Sequence, residues 1–403
     1  MTHAGYPRAA LAGTQAKHSQ AFQLTEPPGN CSYTQQQVRI KPAIRFRTIG
    51  TTLSISDTLD PSRIRRVLVT KLRHHGDVLL ASPVLGTLNR YLPQARIDAL
   101  VYQDTRDMLS EHPALSQLHL VTKRGSLREE WRLLQALRSR RYDLLVHLTS
   151  SARGAWLARM LKPAVSVAPN HPGKLYRDSF THLYQHANAR HMVECNLDAL
   201  RRIGLWPEES DKKLVLVAGA DAERGAEKHL RDLGLEAGKF ILIHPTSRWQ
   251  FKCWPEEKVA ELAIRLAERG FPLLFTSAPD AQETGMIQRI LARLPFPAPS
   301  LAGRLTLKEL AALTARARLF IGMDSAPMHI AAAVGTPVVA LFGPSGANIW
   351  GPWQVPARVI TSDHSCRPCG LDGCGGSKRS DCLEIIPTGR VLDAALELMA
   401  QAR

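Results

Sequence analysis

Short apolar runs alternate with segments of helical period from residue 67 to the C-terminus. The β-branched run Val67-Leu68-Val69-Thr70-Lys71-Leu72 predicts a buried strand over 67–72. Strands follow at 97–101, 118–121, 143–148 and 165–168, with helices over 78–91, 127–138 and 153–161. Ser82-Pro83 inside the first helix also reads as a cap followed by Pro at a first helical position, so that helix has two possible starts. A polar stretch over 205–211 suits a linker. Beyond it the pattern restarts, with strands at 240–244, 273–276, 319–321 and 338–342. Helices are expected over 255–269, 281–294, 306–315 and 327–334, and a last one over 388–402. Strands alternating with helices give parallel sheets covered on both faces. The expected organisation is an extension over 1–62, one α/β domain over 63–210 and a second over 211–403. The extension carries Pro27-Pro28-Gly29-Asn30 and Gln35-Gln36-Gln37 without a sustained period. It reads as mostly disordered, or as the product of an upstream start codon.

Composition narrows the class. The chain has 403 residues, 44% of them hydrophobic and 22% charged, enough apolar material for a core. The longest mostly apolar run, 331–342, has 12 residues, too few for the roughly 20 that cross a bilayer. Residues 1–30 lack the apolar segment of a secretory signal, so a cytosolic protein is expected. Seven Cys, an odd number, do not form a disulfide framework in a chain this long. The net charge is +16 and uneven: +3 over 1–62, +10 over 63–210 and +3 over 211–403. A basic middle third suits an anionic lipid surface, a phosphorylated substrate or nucleic acid. The last fits poorly, because no recognition motif is present and aromatics make up only 6%.

In doubly wound sheets ligands gather beyond the carboxyl ends of the strands. Three post-strand segments carry the candidate chemistry. His74-His75-Gly76-Asp77 follows the first strand; Asp77 suits a general base on a hydroxyl, or the cap of the next helix. The segment lacks G-x-G-x-x-G, which argues against a nicotinamide site. After the strand 240–244, Thr246, Ser247, Arg248 and Lys252 fall within seven residues. Hydroxyls donate and cations neutralise, which suits a diphosphate, although ordinary capping would use the same residues. After the strand 319–321 come Asp324, Ser325, Ala326, Pro327 and His329. Small residues and a helix start aimed at the cleft favour phosphate there. Separately, Cys366, Cys369, Cys374 and Cys382 lie within 17 residues, with His364 nearby. They could hold a structural zinc or be free thiols, since the spacing lacks the paired C-x2-C regularity of a zinc ribbon.

Segments 69–80, 244–255 and 322–331 together resemble glycosyltransferase family nine, the lipopolysaccharide core heptosyltransferases, in the family's order. His-His-Gly-Asp, in place of the Ser-Leu-Gly-Asp common elsewhere in the family, is similar to the heptosyltransferase III branch, as is the Cys cluster. Ser325 stands where many relatives have Thr. The resemblance implies a GT-B fold, two Rossmann-like doubly wound domains facing a central cleft. The first would hold the acceptor and the second the nucleotide sugar. It implies inverting transfer of heptose from ADP-L-glycero-β-D-manno-heptose to a heptose of the lipopolysaccharide inner core, with no essential metal or other cofactor. Asp77 is then expected as the base and Lys252 as the cation on the leaving diphosphate. Thr246, Ser247, Arg248, Asp324, Ser325, Ala326 and His329 are expected to bind the donor. Arg73, Lys123, Arg124, Arg128, Lys174 and Arg177 are expected to meet the acidic acceptor. Work at the cytoplasmic face of the inner membrane is expected, through peripheral attraction to anionic lipid. Two other readings stay open: a GT-B epimerase of nucleotide sugars, and a basic nucleic-acid-binding protein. The oligomeric state is left open.

Overall fold

Eleven strands form among the described residues, which in this computed structural model are 58–185 and 189–401. In the first half β1 (Arg66–Thr70), β2 (Arg96–Tyr102), β3 (Gln117–Val121), β4 (Leu144–His147), β5 (Val165–Pro169) and β6 (His182–Tyr184) make one sheet in the order β3-β2-β1-β4-β5-β6. In the second half β7 (Ile241–His244), β8 (Leu273–Phe275), β9 (Leu319–Met323), β10 (Val338–Leu341) and β11 (Ala357–Ile360) follow the order β11-β10-β9-β7-β8. Every pairing is parallel. Each order reverses once, between β1 and β4 and between β7 and β9. At such a switch point the following loops part and leave a crevice for ligand.

The core explains why these runs are strands. Side chains alternate across a strand, so a run apolar at every position is buried on both faces. Val67 and Val69 of β1 join Val84, Leu85 and Leu88 of the helix Ser82–Tyr91, with Val193 and Leu197 of the helix Met192–Arg201. Leu68, between them, faces the opposite cluster with Leu137, Ala155 and Ala158. The second sheet repeats the scheme. Leu242 and Phe320 lie in one cluster, and Ile241, Ile243 and Ile321 pack with Leu392, Ala395 and Leu398 of the last helix, Thr388–Gln401. Fully burying such a side chain contributes about 1.5–3 kcal/mol. Gly322 lets β9 lie beside the end of β7: a Cβ there would stand 2.6 Å from the Phe320 ring and 2.9 Å from the His244 carbonyl oxygen.

The structure departs from the expected elements in several places. Residues 1–57 of the expected extension lie outside the described residues. Its last part, 58–62, belongs to the fold: the Leu59 N–H donates to Ile203 O at 3.0 Å, and Asp60 caps a 3-10 turn over Pro61–Arg63. The helix expected over 78–91 is two helices, His75–Leu79 and Ser82–Tyr91, with Pro83 in the first turn of the second. The linker stretch carries a 3-10 turn, Glu209–Lys212. The helix Ala220–Leu233 was not expected. Its buried residues are Ala222, Ala226 and Leu230, a stripe too narrow and too small to stand out among its charges. The edge strands β6 and β11 are short and half exposed, so they lack the apolar runs that marked the others.

Candidate active site

Asp77 sits in the first turn of the helix His75–Leu79, not in the loop before it, and its N-cap is His74. Its side chain is 12% exposed, and its nearest cation is the Arg73 Nε at 3.8 Å. The Asp77 carboxylate accepts no hydrogen bond among the described residues, so the capping role is not the one it plays. Just upstream, Lys71 is buried. Its ammonium donates to Leu148 O at 3.0 Å and to Asn196 Oδ1 at 2.9 Å, and the Asn196 amide donates to Leu80 O at 2.9 Å. Burial lowers the Lys71 pKa to about 8, with the Asp77 charge opposing the shift. The sequence singled out neither Lys71 nor Asn196. A Lys inside an otherwise apolar run is the signal that marks the first.

The second switch point is built from the loops after β7 and β9. The Lys252 ammonium meets Asp324 Oδ2 at 2.5 Å, with side chains 21% and 7% exposed. Asp324 therefore holds Lys252 in place, and the remaining N–H groups of the ammonium stay available. Thr246 lies deeper than expected. Its hydroxyl is buried and donates to Glu283 Oε2 at 2.6 Å, so its single proton is not free for a diphosphate. Ser247 keeps its proton, while its oxygen accepts from the Trp249 N–H at 3.3 Å. Ser325 is the N-cap of the helix Ala326–Ala333 without a side-chain capping bond; Pro327 has no N–H and the Met328 N–H donates to Ser325 O at 3.1 Å, so of the first turn the Ala326 N–H is the one left for a ligand.

The two switch points touch. Gly76 lies against His329, where an added Cβ would stand 2.8 Å from the imidazole Cδ2. His329 is buried and its Nδ1 has no hydrogen-bond partner among the described residues. Burial lowers its pKa to about 4, so the ring is neutral, with Asp324, His191, Asp77 and Lys252 the titratable groups facing it. The Arg248 Nη1 comes within 3.5 Å of His74 Nδ1. The His191 ring stacks on Trp353 at 4.3 Å and bonds Gly351 O at 3.0 Å. Asp77, Lys252 and Asp324 are thus the charged groups gathered around the buried His329 ring.

The six basic candidates do not form one patch. Arg73 is beside Asp77. Lys123, Arg124 and Arg128 follow the edge strand β3, and Lys123 is tied to Asp104 at 2.6 Å. Lys174 and Arg177 share a short helix beyond β5, on the other flank of the sheet. Among the described residues no group of three or more His, Cys, Asp or Glu side chains is arranged to hold a metal ion. Cys366 Sγ lies 3.3 Å from His364 Nδ1, while Cys382 is buried below.

Comparison with known proteins gives the family. Residues 130–376 match the model of glycosyltransferase family 9 (heptosyltransferase). The chain belongs to this family. Lys252, Asp324 and His329 fall inside the matched span, and Asp77 precedes it. Lipopolysaccharide heptosyltransferase 3 of Escherichia coli K12 is 35% identical over 291 residues, covering 70% of this chain and 83% of that protein. Lipopolysaccharide heptosyltransferase 1 of Pseudomonas aeruginosa is 29% identical over 330 residues, 77% of this chain and 87% of its own. Among solved structures, a glycosyltransferase family 9 protein from Veillonella parvula superposes with a TM-score of 0.74 at 24% identity, covering 84% of this chain and 97% of its own. The Escherichia coli ADP-heptose lipopolysaccharide heptosyltransferase II gives 0.67 at 23%, covering 84% and 99%. The two facing parallel sheets are the GT-B arrangement of this glycosyltransferase family, and membership favours the transferase over the epimerase.

Proposed function

We propose that the protein transfers L-glycero-D-manno-heptose from ADP-L-glycero-β-D-manno-heptose to a heptose of the lipopolysaccharide inner core, with inversion, as a heptosyltransferase III. The observation that carries this reading is a carboxylate, Asp77, that accepts no hydrogen bond among the described residues and meets only the Arg73 guanidinium at 3.8 Å, near the same His329 ring as a clamped cation, Lys252. Asp77 takes the proton of the acceptor hydroxyl as its oxygen bonds the anomeric carbon. The bond from that carbon to the diphosphate oxygen breaks on the opposite face, and ADP leaves with the electron pair. Lys252, fixed by Asp324, meets the charge that grows on the leaving oxygen, so it acts on the transition state more than on the bound donor. The Ser247 hydroxyl and the Ala326 N–H at the start of the helix Ala326–Ala333 add hydrogen-bond donors to the diphosphate. In this reading residues 63–210 hold the acceptor and residues 211–403 the donor.

The +10 charge of residues 63–210 supports a phosphorylated, acidic acceptor, met by Arg73 and by the flanking groups of Lys123, Arg124 and Arg128 and of Lys174 and Arg177. It also supports peripheral attraction to anionic lipid at the cytoplasmic face of the inner membrane. Among the described residues no helix is long and apolar enough to cross a membrane. Each Lys or Arg near such a surface contributes about 1 kcal/mol, and salt screens it. The deciding experiment is mass spectrometry of the product made from ADP-heptose and defined core acceptors. One added heptosyl group with stoichiometric ADP is expected. Donor hydrolysis without acceptor product, or turnover of a different nucleotide sugar alone, overturns the reading. Co-sedimentation with anionic vesicles should fall as salt rises; retention on neutral vesicles in high salt removes the electrostatic account.

A further inference from the structure

Exposed large apolar side chains gather on one face of the first half. Three helices, Leu127–Ser139, Ala152–Leu161 and Lys174–Arg177, cover the same side of the first sheet, where Leu137, Ala155, Leu157 and Tyr176 pack with Leu68. Their outward sides carry Leu127, 88% exposed, Trp131, 57%, Trp156, 44%, and Leu175, 70%. Scattered single residues of this kind are ordinary, but Trp is highly buried on average and four such side chains on adjoining helices are not ordinary. Leu127 and Trp131 are one turn apart on the same side of their helix. Glu130 meets Arg153 at 2.7 Å, which ties the first helix to the second one turn before Trp156. Arg159, one turn beyond Trp156, donates to Leu175 O at 3.3 Å and ties the second to the third. All four apolar residues lie near the starts of helices that follow β3, β4 and β5. The strands are parallel, so these helix starts sit at the same sheet edge as the Asp77 turn beyond β1.

The charges on this face choose its occupant. The three helices carry seven Lys and Arg against two Glu. Both carboxylates are engaged: Glu129 accepts from the Ser126 N–H at 2.9 Å, and Glu130 holds Arg153. Arg128, Arg132, Lys174 and Arg177 are exposed and form no ion pair among the described residues. A second copy of the chain docked face to face would set these cations against themselves. An anionic bilayer answers both features. Trp and Leu side chains enter the boundary between headgroups and acyl chains, while Lys and Arg stay with the phosphates. We propose that this face is the membrane-docking surface, with Leu127, Trp131, Trp156 and Leu175 inserted among anionic phospholipids and the unpaired cations set on their phosphates. The proposal rests on the reading that the acceptor is anchored in lipid. It goes beyond a diffuse charge attraction by naming the face and by adding an apolar part. A bilayer on this face lies along the sheet edge that bears Asp77, the edge at which a lipid-anchored acceptor must present its hydroxyl.

The test uses the full chain with vesicles of phosphatidylglycerol and phosphatidylethanolamine. In a double variant, Trp131→Ala with Trp156→Ala, co-sedimentation affinity should fall about tenfold. Trp206→Ala is the control. Trp206 is 64% exposed, but its carbonyl oxygen accepts from the Tyr91 hydroxyl of the helix Ser82–Tyr91, on the opposite side of the sheet, so its loss should leave affinity unchanged. Phosphatidylglycerol brominated on its acyl chains should quench the tryptophan fluorescence of the wild-type chain, and quench the double variant less. Turnover on a lipid-free core oligosaccharide should hold in the double variant, while turnover on the same core embedded in the vesicles falls. Unchanged vesicle affinity in the folded double variant, an equal fall in Trp206→Ala, or no quenching of the wild-type chain overturns the proposal. So does a wild-type dimer in solution that the double variant dissociates, which reassigns the face to contact between copies. Quenching is read on the wild-type chain, so it decides even if the double variant fails to fold. Failure of the heptosyltransferase reading shows separately, as absence of heptosyl product from either acceptor with the wild-type protein, whatever the vesicles bind.

Discussion

Each switch point supplies one lysine and one aspartate, and the two halves pair them in opposite ways. In the second half Lys252 and Asp324 hold each other at 2.5 Å. In the first half Lys71 is buried on Leu148 O and Asn196, and Asp77 has only the Arg73 guanidinium at 3.8 Å. A carboxylate on an ammonium has its lone pairs engaged, while one facing a distant guanidinium keeps them open to a substrate hydroxyl. The same residue types on the same topology thus give a clamped cation in one half and a base in the other. What differs is where the lysine sits: within the strand-end core it ties backbone together, and on the loop it reaches the cleft.

The largest effect expected from breaking this contrast comes from Asp77→Asn. Losing a general base lowers turnover by about 10²–10⁴. ADP affinity and the melting temperature should hold, because the carboxylate bonds nothing that supports the fold. Near-normal turnover in steady-state kinetics removes the base role. Lys252→Ala comes next, with a turnover loss of about 10²–10³ that exceeds its loss of donor affinity. If calorimetric donor affinity falls by as much as turnover, Lys252 belongs to ground-state binding instead.

The contrast was only half legible in the sequence. The central strands were plain, because β1, β4, β7, β9 and β10 are apolar on both faces. So were the loops beyond them, since a switch point must carry ligand groups there. The partners were not legible. Thr246 and Ser247 are adjacent hydroxyls of similar type, yet one is turned onto Glu283, which lies 37 residues later in a helix. The Lys252–Asp324 pair spans 72 residues and Lys71–Asn196 spans 125. Pairings at that distance depend on the sheet order, which no local period encodes. The helix Ala220–Leu233 was missed for a different reason, its alanine stripe.

In one respect the halves agree, and pH sharpens the comparison. His147 ends β4 and His244 ends β7, each beside a threonine hydroxyl: Thr70 at 2.5 Å and Thr276 at 3.0 Å. Burial lowers both pKa values to about 3, and those of His112 and His329 to about 4. Unfolded, all four return to about 6.5. Between those values the unfolded chain binds protons that the folded chain refuses, so stability is present in full above pH 6.5 and is lost as pH falls toward 4 and 3. At pH 5 the loss is about 2 kcal/mol for each histidine. Urea titrations at pH 7 and pH 5 measure it, with His147→Gln and His244→Gln expected to remove similar shares of the slope. A denaturation midpoint that does not move with pH contradicts the buried neutral rings.

The smallest effect separates two neighbouring hydroxyls. Thr246→Val keeps the side-chain shape and removes the hydroxyl that donates to Glu283 at 2.6 Å, leaving that buried carboxylate with the Ala278 N–H at 3.3 Å. An under-bonded buried acceptor costs about 1–3 kcal/mol, so the melting temperature should drop. Turnover at saturating donor should stay near the wild-type value, because the Thr246 proton never faced the diphosphate. Ser247→Ala is expected to do the reverse. It removes a hydroxyl proton that has no acceptor among the described residues, so turnover falls while the melting temperature holds. Both variants need only a thermal melt and a steady-state assay. If Thr246→Val loses turnover without losing stability, its hydroxyl leaves Glu283 during the reaction, and the second half uses both hydroxyls on the donor.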